Sequence, residues 1–164
     1  MKILVLSDSH AGLSFMRYCV DAVKPDCIVH LGDYFEDGTA LAEAYPHKVF
    51  YQVPGNCDRY RCPEHIPETL CCLVGGVWLY MSHGHKQNVK FGQGKLCAEA
   101  RANGVQAVLY GHTHIPDCRF EDGLWILNPG SCGSWGGTVG ILETDGKAIV
   151  GCKILSQADL EGMK

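Results

Sequence analysis

Hydrophobic and polar positions along this chain change period from one segment to the next. Residues 3–7 read Ile-Leu-Val-Leu-Ser, a continuous apolar run that predicts a strand buried on both faces. Residues 14–23 then place Phe15, Met16, Cys19, Val20 and Val23 at helical spacing, and Pro25 ends that helix. A second buried strand is predicted over 27–31, closing at Gly32-Asp33. A short helix over 39–44 and a third strand over 49–53, before Pro54-Gly55, complete the first third. Strand and helix alternate through this region, which predicts a parallel sheet covered on both faces.

The second half has a different pattern. Residues 69–74 and 77–82 flank Gly75-Gly76, a strong two-residue hairpin signal. A helix is predicted over 89–102, ending near Asn103-Gly104, and a buried strand over 105–110, ending at Gly111. Residues 118–120 and 124–127 flank an acidic turn with Gly123, and 138–143 and 148–155 flank Asp145-Gly146. No repeat, low-complexity tract or linker interrupts the chain. The expectation is one α/β domain over 1–164, with a parallel sheet extended by hairpins into two stacked sheets with outer helices.

Composition narrows the possibilities. Of 164 residues, 46% are hydrophobic, enough for a real core. The net charge of -4 argues against an extended basic surface for nucleic acid. It leaves room for a small phosphorylated substrate, because bound cations bring their own positive charge. Only four apolar residues precede polar ones at the start, too few for a signal-peptide core, and no stretch approaches the ~20 apolar residues of a membrane span. A cytoplasmic protein with no membrane partner is expected. The ten cysteines form no CxxC pair, so neither a zinc ribbon nor a thiol-rich metal store is indicated. Cys19, Cys27, Cys71 and Cys97 lie in apolar patterns and read as small hydrophobes. Without a secretory signal, no disulfide framework is expected.

Five short segments carry the chemistry, and each follows a strand signal. They are Asp8-Ser9-His10, Gly32-Asp33, Gly55-Asn56-Cys57-Asp58, His83-Gly84-His85 and Gly111-His112-Thr113-His114. In open α/β sheets, ligands gather at the carboxyl ends of parallel strands, so these residues can converge on one rim. Carboxylates, imidazoles and one amide, without thiolates, suit hard or borderline divalent ions such as Mn²⁺, Mg²⁺, Fe²⁺ or Zn²⁺. Asp33 is the natural bridging carboxylate. Two cations held this way can activate water for in-line attack on a phosphate ester.

The order DxH, GD, GNxD, HGH, GHTH resembles the calcineurin-like metallophosphoesterase superfamily, and the GNCD form resembles its small bacterial and archaeal phosphodiesterase branch. The likeness extends through Asn128-Pro129-Gly130-Ser131. It implies a four-layer αββα sandwich of two mixed sheets flanked by helices, and two divalent ions, most often Mn²⁺, with Ni²⁺ also compatible. It implies one metal site of Asp8, His10 and His114 and another of Asn56, His83 and His112, with Asp33 shared. Asp33, Asn56 and His83 are the expected catalytic residues. The implied activity is phosphodiester hydrolysis. A non-catalytic protein-interaction scaffold on the same fold is the alternative, and it would require lost ligand positions.

Some positions depart from the family pattern. Cys57 stands where many superfamily phosphatases have His, which removes a general acid and favours good leaving groups. Ala11 replaces a common Gly, and the loop 132–137 lacks the Pro and basic residue often seen there. Cys57 is expected to pack, Asp58 to orient its turn through backbone hydrogen bonds, and His83 rather than His85 to ligate. His30 reads as structural, His47 and His65 as surface residues, and Arg59 and Arg61 as solvated loop charges. Gly130 and Ser131 either donate near the phosphate or form a simple turn. The short interval between Asp33 and Asn56 predicts an open, loosely selective site. The hairpin edge at 69–82 leaves a homo-oligomer possible.

Overall fold

The computed structural model describes residues 1–163. The buried apolar runs become strands β1 (Lys2–Leu6), β2 (Cys27–His30) and β3 (Val49–Gln52), which pair in parallel. Strand β9 (Thr138–Thr144) adds antiparallel to β1, and β10 (Ile149–Ser156) adds to β9, giving the order β10-β9-β1-β2-β3. The second sheet has the order β4-β5-β6-β8-β7. It contains the hairpin β4 (Thr69–Val74) and β5 (Val77–Ser82), parallel strands β6 (Ala107–Leu109) and β8 (Leu124–Asn128), and antiparallel β7 (Asp117–Glu121).

Alternation along the strands separates the layers. Ile3 and Val5 join Leu79, Met81, Ala107 and Leu109 in the core between the sheets. Leu4 and Leu6 point the other way, onto α1 (Leu13–Val23) through Phe15, Met16 and Cys19. On the far side, Tyr80, Val108 and Ile126 pack against Leu96 and Ala100 of α3 (Gly94–Ala102). Two mixed five-stranded sheets flanked by helices result, as the resemblance implied. Residues 3–6 of β1 and all of β2 are buried on one face or the other, so these runs carry no polar alternation.

Several boundaries differ from the sequence pattern. Helix α2 runs Phe35–Ala44 rather than 39–44. Its Asp37-Gly38 pair looks like a turn in sequence. Gly38 is in fact helical, and glycine fits there because a Cβ would strike the Gln52 side chain and crowd the His30 ring. The helix predicted over 89–102 is broken: Val89–Phe91 is a single 3₁₀ turn, Gly92 takes φ 137°, and only α3 is α-helical. A short helix α4 (Gln157–Glu161) follows β10, N-capped by Ser156, whose hydroxyl accepts from the Asp159 amide. Cys19, Cys27 and Cys97 are buried as expected, but Cys71 is exposed, because it takes the outward face of β4 at the sheet's edge.

Candidate metal centre

The five segments follow the C-terminal ends of β1, β2, β3, β5 and β6, and all open onto one rim. Glycine allows the close approach there. A Cβ on Gly111 would run into Ser7 Oγ and Asp8 Oδ2, and one on Gly55 would run into Asp33 Oδ1. Of the eleven non-glycine residues with positive φ among the described residues, five are Asp8, His10, Asp33, His112 and His114. Such backbone costs about 1–3 kcal/mol per residue and persists only where surrounding bonds impose it.

Those bonds are present. Asp8 Oδ2 accepts from Ser7 Oγ at 2.6 Å and from the His112 amide at 3.1 Å, which joins one sheet to the other. Asp33 Oδ1 accepts from the Cys57 amide at 2.9 Å. Buried Asp58 accepts from the Asp33, Gly55 and Phe35 amides at 2.9, 2.7 and 2.9 Å, tying the β2 and β3 loops together. The His83 ring donates through Nδ1 to the Leu31 carbonyl at 2.7 Å, which fixes its tautomer and leaves the Nε2 lone pair facing the rim. Asn128 donates to the Gly111 carbonyl at 3.1 Å and to Thr113 Oγ1 at 3.0 Å, shaping the His112–His114 loop.

The donor atoms face one another. His114 Nε2 lies 3.0 Å from Asp8 Oδ1 and 3.4 Å from His10 Nε2. His10 Nε2 is 3.9 Å from Asp33 Oδ2. His83 Nε2 is 3.5 Å from Asp33 Oδ1 and 3.1 Å from Asn56 Oδ1, and the His83 and His112 rings are 5.0 Å apart. Asp8, His10, Asp33 and His114 offer ligand atoms within 4.8 Å of each other. Asp8 Oδ1 is buried and accepts no hydrogen bond, and His83 Nε2 meets Asn56 Oδ1 as one lone pair facing another. Orphaned acceptors converging on one point fit a divalent cation.

Electrostatics keep the donors in ligand form. Burial, aided by the neighbouring His83 ring and the Lys90 charge, lowers His112 to about 4, so its ring is neutral at pH 7. Burial is the largest single influence on Asp33 and acts upward. The neighbouring His83 and His10 rings and the hydrogen bonds from Cys57 outweigh it and hold the carboxyl below its usual range.

The other candidates take distinct places. His85 Nε2 faces Glu68 at 3.8 Å, and its ring centroid is 5.4 Å from that of His83. Burial lowers its pKa, as does the neighbouring His83 ring. Cys57 was expected to pack, yet it is exposed, because the turn Asn56–Asp58 turns its amide toward Asp33 and its side chain outward. Burial at the thiol and the nearby Asp33 raise it to about 11, so it is no thiolate nucleophile. Ser131 donates to the Asp8 carbonyl at 2.8 Å, and the Gly130 amide donates to Asn128 Oδ1 at 2.9 Å, so both groups serve the loop itself. Arg61 pairs with Glu36 and lies 4.4 Å over the Tyr34 ring, whereas Arg59 lines a cleft of about 530 Å³ with Asn56, Cys62, Glu68, His85 and Lys86. His47 and His65 are exposed.

Sequence reasoning missed Asp37. Its Oδ2 accepts from Ser9 Oγ at 2.8 Å and from the Ala11 amide at 2.9 Å, holding the Asp8–His10 loop. Fully buried His30 bonds Ser9 Oγ at 3.2 Å and completes the chain. No local pattern marks Asp37, which lies in the first turn of α2 and reaches the loop only through the fold.

The model of the calcineurin-like phosphoesterase superfamily domain matches residues 1–147. The chain belongs to that superfamily. Among similar proteins is a phosphodiesterase of Methanocaldococcus jannaschii, MJ0936, 26% identical with 90% of this chain and 95% of that protein covered. Another is the Escherichia coli K12 phosphodiesterase YfcE, 28% identical over 92% of this chain and 91% of its own. A solved structure from Streptococcus pneumoniae TIGR4, described as a phosphoesterase by prediction, superposes with a TM-score of 0.73 at 26% identity, covering 95% of this chain and 97% of that one. Membership in the superfamily makes this chain a metallophosphoesterase and implies divalent metal ions, which the donor set at the rim fits. No helix among the described residues is long and apolar enough to cross a membrane.

Proposed function

We propose that this metallophosphoesterase is a phosphodiesterase that holds two divalent cations and hydrolyses small phosphorylated substrates. The observation that carries this reading is the placement of Asp33. Its Oδ2 looks toward His10, 3.9 Å away, and its Oδ1 toward His83, 3.5 Å away, so one carboxylate serves two donor groups. Asp8, His10 and His114 would complete one site, and Asn56, His83 and His112 the other. Bound there, two divalent cations supply Lewis acidity to the phosphoryl oxygens and bring the pKa of water toward neutrality. Mn²⁺ is the first expectation for this donor set, and Mg²⁺, Fe²⁺, Zn²⁺ and Ni²⁺ suit it too.

The chain's own groups do the positioning. Asp8 and Asp33 are buried anions held by amide and hydroxyl donors, so they need little rearrangement when a cation enters. His83 keeps one ring orientation through Leu31. Cys57 sits beside Asn56 with its thiol raised to about 11 and is too weak an acid to protonate a poor leaving group. Diesters with good leaving groups are therefore the expected substrates. The names of the M. jannaschii and E. coli relatives support the diester class. All seven donor residues are present, which disfavours a non-catalytic scaffold.

The test is hydrolysis of an aryl phosphodiester by chelator-stripped protein with Mn²⁺ added back. Stripping should abolish turnover and Mn²⁺ should restore it. Asp33→Ala and Asn56→Ala should each cut kcat/KM by about 10³-fold with unchanged circular dichroism. Parental rates in both variants would refute the assignment. A calorimetric titration should show two Mn²⁺ equivalents in the parent.

A further inference from the structure

The two sheets also meet along an open edge of the sandwich. β10 is the outer strand of one sheet and β7 of the other. Cys152 on β10 and Cys118 on β7 bring their sulfurs to 2.9 Å across the layer. Both side chains pack against the core between the sheets, and both remain partly accessible. Neither belongs to the metal centre or to an element that positions it. Two thiols on different sheets, 34 residues apart in sequence, in contact and reachable from solvent, form a cluster that the phosphoesterase reading leaves unused.

We propose that Cys118 and Cys152 are a modification site, oxidised by a low-molecular-weight disulfide such as oxidised glutathione to a bond that staples the two sheets together. The geometry asks for little. The sulfurs must close from 2.9 Å to about 2.05 Å, a movement within reach of small side-chain rotations on fixed strands. The chemistry balances as two exchanges. The Cys118 thiolate attacks one sulfur of the oxidant, forming a mixed disulfide and releasing one small thiol. Cys152 gives its proton to solvent and attacks the Cys118 sulfur, which releases the second small thiol. The two protein thiols lose two electrons and two protons in all, and the oxidant gains them. Burial, with the Cys118 thiol alongside, pushes the Cys152 thiol well up. The exchange balances equally with the two cysteines' roles reversed.

The consequence follows from where the staple sits. Asp8, His10, Asp33 and Asn56 follow strands of one sheet, and His83, His112 and His114 follow strands of the other. A covalent tie between β7 and β10 limits how far the sheets can part and closes a long loop in the unfolded chain.

The test needs no activity and does not depend on the proposed function. The native protein is incubated with reduced or oxidised glutathione, denatured, alkylated and digested with trypsin. Cys118 and Cys152 fall in separate peptides, 102–119 and 148–153, each with a single cysteine. The oxidised sample should yield these two peptides joined, two hydrogens lighter than their sum, and a Tm raised by roughly 5–15 °C over the reduced sample. Cys118→Ser, treated alike, should lose both the joined peptide and the rise in Tm. Full alkylation of Cys118 and Cys152 after oxidation would overturn the proposal. So would links confined to exposed Cys57 or Cys71, or glutathione adducts alone. A mapped link that leaves Tm unchanged would overturn the staple.

Discussion

The two sheets hold their halves of the candidate metal centre in different ways. On the β1–β2–β3 side, Asp8 and Asp33 are 0% and 3% exposed and sit in a frame of fixed donors. Asp58 alone gathers three amides, and Asp37 gathers the Ser9 hydroxyl and the Ala11 amide. On the β5–β6 side, His83 is pinned by Leu31, but the His112–His114 loop leans mainly on Asn128. The His114 side chain is 48% exposed. The difference follows from charge. Two carboxylates close together repel each other and lose solvation, so they must be held by N–H and O–H donors before a cation arrives. Neutral imidazoles carry no such penalty, and a looser loop suffices.

That asymmetry makes Asp58→Ala far more costly than Asn128→Ala on the imidazole side. It strands the Asp33, Gly55 and Phe35 amides, at about 1–3 kcal/mol each, so urea denaturation should show a loss of roughly 3–9 kcal/mol. A loss no larger than that of Asn128→Ala would break the comparison.

Acid should expose the carboxylate side next. Burial holds His30, which bonds the Ser9 hydroxyl beneath that loop, at about 4 in the folded protein, against an ordinary value of 6.5. As pH falls, the unfolded chain takes up this proton first. Its contribution is therefore complete above pH 6.5 and is lost progressively down to about pH 4, amounting to about 3 kcal/mol. His112, also lowered to about 4, acts in the same window and the same direction. Asp33, held below its ordinary 3.8, adds a further loss only at lower pH. Denaturation of chelator-treated protein across this range should show the decline, and His30→Gln should flatten it.

The smallest expected effect is Asn128→Ala, at about 1–2 kcal/mol in the same denaturation assay, because it leaves the Gly111 carbonyl without its donor. Its larger signature should be a 10–100-fold weaker Mn²⁺ affinity by calorimetry, as for other groups that orient ligand loops.

These asymmetries were only partly visible in the sequence. The buried runs at 3–7 and 27–31 and the Gly75-Gly76 hairpin were legible, because apolar periodicity and turn chemistry are local. The seven donor residues stood out because each follows a strand and has the right chemical type. The early start of α2 was hidden by Asp37-Gly38, a pair that local rules read as a turn although it is helical, with Gly38 close against the His30 ring. The break after Phe91 was likewise hidden, since residues 89–102 keep a helical pattern across Gly92.

Local order along the chain determined the alternation of strands and helices, the superfamily and the chemical types of the donors, since each depends on residues near one another in sequence. Only the packed sheets decided that Asp33 turns one oxygen toward each donor group, that Asp37 and Asp58 hold the loops, and that Cys118 meets Cys152. Those contacts join residues 23 or more positions apart, and their distances depend on how strands pair within a sheet and how the two sheets pack, which no local pattern encodes.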